Sequence, residues 1–116
     1  MRESDQIRSL SEKIKALGDP VRLRILKMLA NRELSVGEIT EILDLPQPTV
    51  SRKLGELKRA GILSYRKNGK LVFYGYSSDF THSQLKNIIV TAQAREFTAD
   101  LEKVQSIVRK RARLPK

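Results

Sequence analysis

A mainly α fold with a small β-hairpin is what this 116-residue sequence predicts, and three observations carry the prediction. Apolar residues recur at three- and four-residue steps through the first half of the chain, in stretches that each have start and stop signals. The period then changes to two on either side of Asn68-Gly69, a strong short hairpin signal. A last helical pattern follows, with no proline or glycine between positions 76 and 114. Helix, helix, tight turn, helix and hairpin, in that order, describe a winged helix-turn-helix. It is expected to be dimeric through the long C-terminal helix.

The first helix is expected over roughly 5–17, with Ile7, Leu10, Ile14 and Leu17 on one face and Gly18 ending it. Asp19-Pro20 opens the second in the favoured order, a capping side chain before a proline at the first helical position. Val21, Ile25, Met28 and Leu29 form its inner face, and Asn31 lies near its end. Ser35-Val36-Gly37-Glu38 is a capping box that starts a short third helix bearing Val36, Ile39, Ile42 and Leu43. Asp44-Leu45-Pro46-Gln47 is a tight turn, and Pro48 starts the fourth helix, which Gly61 stops. Val50, Leu54 and Leu57 face inward there, and Gly55 costs about 1 kcal/mol against alanine. Ile62–Arg66 and Leu71–Tyr76 read as strands joined by Lys67-Asn68-Gly69-Lys70. Thr81, three residues before Gln84, is expected to cap the last helix.

The length suits one domain, with a first helix over 1–19, a winged core over 20–79 and a C-terminal helix with a basic tail over 80–116. No apolar run approaches the roughly eighteen residues of a membrane span, and the polar start has no secretory apolar region. A cytoplasmic protein with no membrane partner is expected. Zero cysteines exclude thiolate catalysis and thiolate metal sites in this chain. The formal charge of +10 is zero over 1–19, +3 over 20–60, +2 over 61–79 and +5 over 80–116. That excess fits a polyanion, nucleic acid first and anionic lipid second.

In a winged helix-turn-helix the helix over 48–60 enters the major groove of duplex DNA. Its outward side chains include Thr49, Ser51, Arg52, Lys53 and Glu56, and the candidate base contacts are Gln47, Thr49, Ser51 and Arg52. Gln47 and Ser51 can bond base edges, and Arg52 has the fork that grips guanine. Lys53, Lys58 and Arg59 on the helix, with Arg66, Lys67 and Lys70 around the hairpin, are the candidate phosphate contacts. No nucleophile–base pair, glycine-rich phosphate loop or metal cluster suggests an enzyme.

Two motifs resemble one known family. The segment from Lys15 to Leu26, KALGDPVRLRIL, is similar to the "ALADPTRLRIL" signature of the ArsR-type winged-helix repressors. Leu45–Leu54, LPQPTVSRKL, resembles their recognition helix, often "LSQSTVSHHL", and Gly61-Ile62-Leu63 leads into the wing as it does there. The resemblance implies a homodimeric transcriptional regulator, usually a repressor released by a small effector, with Gln47, Ser51 and Arg52 at base edges. Arg52 stands where the family often has histidine.

Metal-sensing members carry "ELCVCDL" on the third helix, where two cysteines bind a soft metal. This chain keeps the frame but has Ser35 and Gly37 at the ligand positions, so no thiolate site forms, and Ser35 reads as the helix cap. A second family site lies on the final helix, with an aspartate two residues before a histidine and ligands eleven and fourteen after it. Anchored on His82, those positions hold Phe80, Gln93 and Glu96, with Asp79 one residue out of place. A symmetric pair of His82–Glu96 sites across the dimer is the alternative, but zinc wants three or four good ligands, so His82 reads as a surface or capping residue. No metal or cofactor is expected.

Val90, Ala94, Phe97, Leu101, Val104 and Val108 step by four, three, four, three and four, the spacing of a coiled-coil seam. Leu85, Ile88, Ile89 and Ala92 add a second apolar edge. A helix over 80–112 is roughly 50 Å long, against a radius of gyration of about 13 Å for a domain this size. Its far half is expected to need a partner, most simply a second copy. The expected interface comprises Leu10, Leu85, Ile89, Val90, Ala94, Phe97, Leu101, Val104 and Val108. Arg109-Lys110-Arg111, Arg113 and Lys116 form a basic tail, open between DNA contact and a solvated helix end. The function expected is a sequence-specific duplex-DNA regulator, a homodimeric repressor reading a partly palindromic operator. A winged-helix module binding protein or RNA, and a constitutive non-specific DNA-binding protein, are the alternatives. A small effector, unidentified, also stays open.

Overall fold

The computed structural model describes residues 3–113, with side chains from Asp5 to Arg111. Among the described residues, seven helices and three strands follow in order: α1 Glu3–Leu17, α2 Pro20–Met28, β1 Leu34–Ser35, α3 Val36–Leu43, α4 Gln47–Arg59, β2 Leu63–Asn68, β3 Leu71–Tyr76, α5 Ser78–Thr81, α6 Gln84–Thr91 and α7 Arg95–Arg113. The buried core joins α2, α3 and α4 through Ile25, Leu26, Met28, Ile39, Ile42, Val50, Leu54 and Leu57. Ile62, Leu63 and Phe80 close it from the wing side.

Local chemistry sets most boundaries. Asp19 caps α2 by accepting the Arg22 N–H at 2.9 Å, with Pro20 at the first helical position. Ser35 and Glu38 complete the capping box, since Glu38 N–H donates to Ser35 Oγ at 3.1 Å and Ser35 N–H donates to Glu38 Oε1 at 2.8 Å. Asp44 ends α3 in the left-handed region (φ +53°), which turns the chain sharply into α4. In β1, a strand absent from the expected elements, Leu34 and Ser35 pair with Tyr74 and Phe73. The antiparallel sheet has order β1-β3-β2.

The hairpin is shifted from its expected form. Asn68 pairs with Leu71, so β2 runs two residues beyond Arg66 and the loop is Gly69-Lys70. Positive φ occurs at Gly69 (+63°) and not at Asn68, the pattern of a II′ turn with glycine first. The expected cap of the last helix is also corrected. Thr81 ends α5, and Ser83 caps α6 by accepting the Lys86 N–H at 3.4 Å.

The largest departure concerns the C-terminal segment. One helix over 80–112 was expected, yet the chain breaks at His82-Ser83 and again over 92–94 without proline or glycine. Two cations of α2, one helical turn apart, explain the second break. Lys27 Nζ donates to the carbonyls of Ile89 (3.2 Å), Val90 (2.6 Å) and Ala92 (2.6 Å), satisfying acceptors that a continuous helix would have bonded internally. Arg24 grips the Asp100 carboxylate with two bonds of 2.9 Å. Asp100 is only 2% exposed, and its hydrogen bonds to Arg24 hold the guanidinium pKa above its ordinary value. Chain reversal lets α7 lie back across α2 and α3, where Val104 and Ile107 join the core. The far half of the segment therefore does bury apolar surface on its own domain. At 3% and 1% exposure, Ile89 and Val104 have almost no surface left to give a partner, which removes both from the expected dimer interface. The broken helix cannot present Val90 through Val108 as one straight seam.

Exposed apolar surface lies elsewhere. Ile7, Leu10 and Ile14 on α1 and Ile88 on α6 are each more than half exposed. Leu10 and half-buried Leu85 line a shared cleft between α1 and the start of α6.

Candidate nucleic-acid interface

Burial divides α4 into two faces. Val50, Leu54 and Leu57 are wholly buried, while Gln47, Ser51, Arg52, Lys58 and Arg59 are exposed and Thr49 is half-buried. Of the five side chains that period 3.6 turns outward, Ser51 and Arg52 are exposed, while Thr49, Lys53 and Glu56 are half-buried. Pro46 precedes the helix without a side-chain cap, its carbonyl accepting the N–H groups of Thr49 (3.0 Å) and Val50 (3.2 Å).

Between α4 and the hairpin lies an open cleft of about 390 Å³, lined by Ser35, Val36, Gly37, Gln47, Ser51, Lys70, Leu71, Val72 and Tyr74. It brings the start of α3, the start of α4 and the wing onto one surface. Lys67 and Lys70 are exposed beside the turn, and Lys58 Nζ sits 4.7 Å from the Tyr65 ring centroid, which ties the end of α4 to β2.

Two of the candidate phosphate contacts are already paired. Lys53 Nζ lies 3.1 Å from Asp19 Oδ1 and is mostly shielded, so it turns back towards the cap of α2. Arg66 Nε donates to Glu33 at 2.8 Å and its guanidinium covers the Phe73 ring at 4.7 Å. The Arg66 pair is solvent-exposed and contributes at most about 1 kcal/mol, so a phosphate competes with it readily. Lys53 belongs to a stiffer arrangement, because Arg22 Nη1 also holds Glu56 at 2.9 Å and Arg22 Nε donates to the Ala16 carbonyl at 2.7 Å. These bonds tie the α1–α2 corner to the middle of α4. Burial alone would raise the Asp19 pKa, but the Arg22 N–H and Lys53 outweigh it and hold the carboxyl below its ordinary value.

The two positions that hold soft-metal ligands in the resembled family are occupied by a helix cap and a glycine. Ser35 Oγ is engaged in the capping box, and Gly37 follows it inside the first turn. His82 is the exposed C-terminal cap of α5, and Glu96 is exposed in the first turn of α7. Arg111, read from sequence as part of an open basic tail, is bonded to Glu38 beside the cleft. Its link across 73 positions leaves no trace in local spacing.

An outward helix face of base-reading residue types, a tight turn bracing it and a basic hairpin beside it define a DNA-binding winged helix-turn-helix, the class of a transcription regulator. Residues 19–65 match the family described as bacterial regulatory protein, arsR family. A biofilm growth-associated repressor of Agrobacterium fabrum is 44% identical over 66 residues, covering 57% of this chain and 56% of that relative. A biofilm growth-associated repressor of Xylella fastidiosa is 38% identical over 78 residues, 67% of this chain and 68% of the relative. The structure of HlyU from Vibrio cholerae N16961 superposes with a TM-score of 0.64 at 36% identity, covering 77% of this chain and 90% of that one. This chain belongs to the arsR family of bacterial regulatory proteins.

Proposed function

We propose that the chain acts as a homodimeric, sequence-specific repressor in the cytoplasm, reading a partly palindromic duplex operator and catalysing no reaction. The observation that carries this reading is the continuous surface from the outward face of α4 across the cleft to Lys67 and Lys70. Gln47, Thr49, Ser51 and Arg52 meet base edges, while Lys58, Arg59, Lys67 and Lys70 meet phosphates. Arg66 joins them by releasing Glu33, and Lys53 contributes through the orientation of α4.

Dimerisation is supported by the exposed Ile7, Leu10 and Ile14 on one face of α1, by exposed Ile88 on α6, and by the cleft that Leu10 shares with Leu85. A dimer of this class presents two such helices to half-sites about one DNA turn apart. Repression is the role named for the Agrobacterium and Xylella relatives. With no thiolate available, any effector that releases the DNA is an organic molecule or an ion bound by other groups.

Fluorescence anisotropy against the duplex upstream of the chain's own gene, beside a scrambled duplex, tests the reading. Binding at least roughly a hundredfold tighter to the first is expected, and Arg52→Ala should lose about 1–3 kcal/mol and relax specificity at its position. Equal binding to both duplexes overturns autoregulation, and no binding to either overturns the duplex reading. Sedimentation of Leu10→Glu/Ile14→Glu, expected to be monomeric and still folded, tests the interface.

A further inference from the structure

The basic end of α7 lies against the rim of the cleft between α3 and the wing. Lys103 Nζ donates to the Ile42 carbonyl near the C-terminus of α3 at 3.3 Å, and Arg111 Nε donates to Glu38 Oε2 in the first turn of α3 at 3.0 Å. The two helices therefore run antiparallel, and α7 delivers its last turns to the end of α3 that lines the cleft. Arg111 also lies 5.6 Å from the centroid of Phe73, on the face of β3 opposite to that of the cleft-lining Val72 and Tyr74.

Charge is distributed along α7 to match. Its first half mixes signs, with Arg95, Glu96, Asp100, Glu102 and Lys103, whereas residues 109–116 hold five cations and no anion. Glu38 is the acidic group at this rim, and Arg111 cancels its charge where a bare carboxylate would repel a phosphate. Arg109 and Lys110 are exposed and have no ion-pair partner among the described residues.

We propose that the last turns of α7 form a third DNA-contacting element, flanking α4 and the wing. Arg109 and Lys110 hold phosphates of the duplex backbone, and Arg111 offsets the charge of Glu38. The Arg113 side chain and Lys116, which complete the basic run, lie outside the described residues. The proposal rests on the duplex-DNA reading above. Cations at a helix C-terminus also complement its dipole, but a dipole effect alters stability, whereas a phosphate contact alters the salt dependence of binding.

The test measures binding of the intact protein to a random-sequence duplex between about 50 and about 200 mM salt, where each phosphate contact contributes about 0.9 to the logarithmic slope. Arg109→Gln/Lys110→Gln should flatten the slope by about 0.9–1.8 per bound protomer, shrinking the affinity change across that range by about 3.5- to twelvefold. Lys86→Gln/Arg95→Gln, which removes the same charge at residues outside the cleft lining, should leave the slope unchanged. An unchanged slope in the first variant overturns the proposal, as does an equal flattening in both, which would be a net-charge effect. Failure of the parent to bind any duplex overturns the underlying reading instead.

Discussion

Removing the Asp100 carboxylate should loosen α7 from the domain. The pair it forms with Arg24 has two bonds of 2.9 Å and joins positions 76 apart in sequence. A fully buried pair broken on one side costs about 3–5 kcal/mol, because the surviving charge is stranded. Asp100 is 2% exposed, but the Arg24 side chain keeps 26% of its surface and can turn to water, so about 2–3 kcal/mol is expected for Asp100→Ala. Urea unfolding at fixed protein concentration measures this loss, fixed because a dimer's stability depends on concentration. Amide exchange should accelerate in α7 ahead of α2, since α7 loses its anchor while α2 stays in the core. The double variant Arg24→Met/Asp100→Leu removes both charges and should lie within about 1 kcal/mol of the parent. The reasoning is refuted if Asp100→Ala costs less than about 0.5 kcal/mol, or if the double variant loses as much as the single one.

Asp19→Asn keeps a capping oxygen but loses the charge that faces Lys53, and should cost about 0.5–1 kcal/mol at neutral pH. The folded-state pKa of Asp19 is depressed, so the stabilisation is present above the unfolded value of about 3.9 and is lost as pH falls through the folded value. Parent and variant should therefore converge in acid unfolding curves, and a gap that persists there would contradict the assignment. Gly55→Ala should stabilise α4 by about 0.5–1 kcal/mol in thermal melts, because a Cβ there meets only the mobile end of Arg59, at 3.3 Å. Gly69→Ala should destabilise by about 1 kcal/mol although nothing lies within 4 Å of the added carbon, since φ is +63° and the penalty comes from the backbone alone. A neutral result at Gly69 would mean that the turn can change type.

Local signals made much of this protein legible. Asp19-Pro20, the Ser35–Glu38 box and the change of period after Gly61 are interactions within a few residues, and each appears in the structure where the sequence places it. The outward face of α4 was legible for the same reason, because three inward apolar residues at helical spacing leave the opposite side to solvent. The pairing of Lys53 and Arg66 was not legible. Their partners Asp19 and Glu33 are 34 and 33 positions away, and charge pairing carries no periodicity.

By itself, then, the sequence determined the class of fold, the helix-turn-helix with its wing, the buried face of α4 and the absence of a thiolate site, since all of these depend on residue type and short spacing. Tertiary structure alone decided the path of the C-terminal third. A repeat of three and four residues specifies an apolar stripe but not what covers it, and Lys27 and Arg24 become the anchors of α6 and α7 only once α2 is packed. The stripe closes on the chain's own core because carbonyls freed at 89–92 and a carboxylate at Asp100 find cations there, a pairing set by position in space.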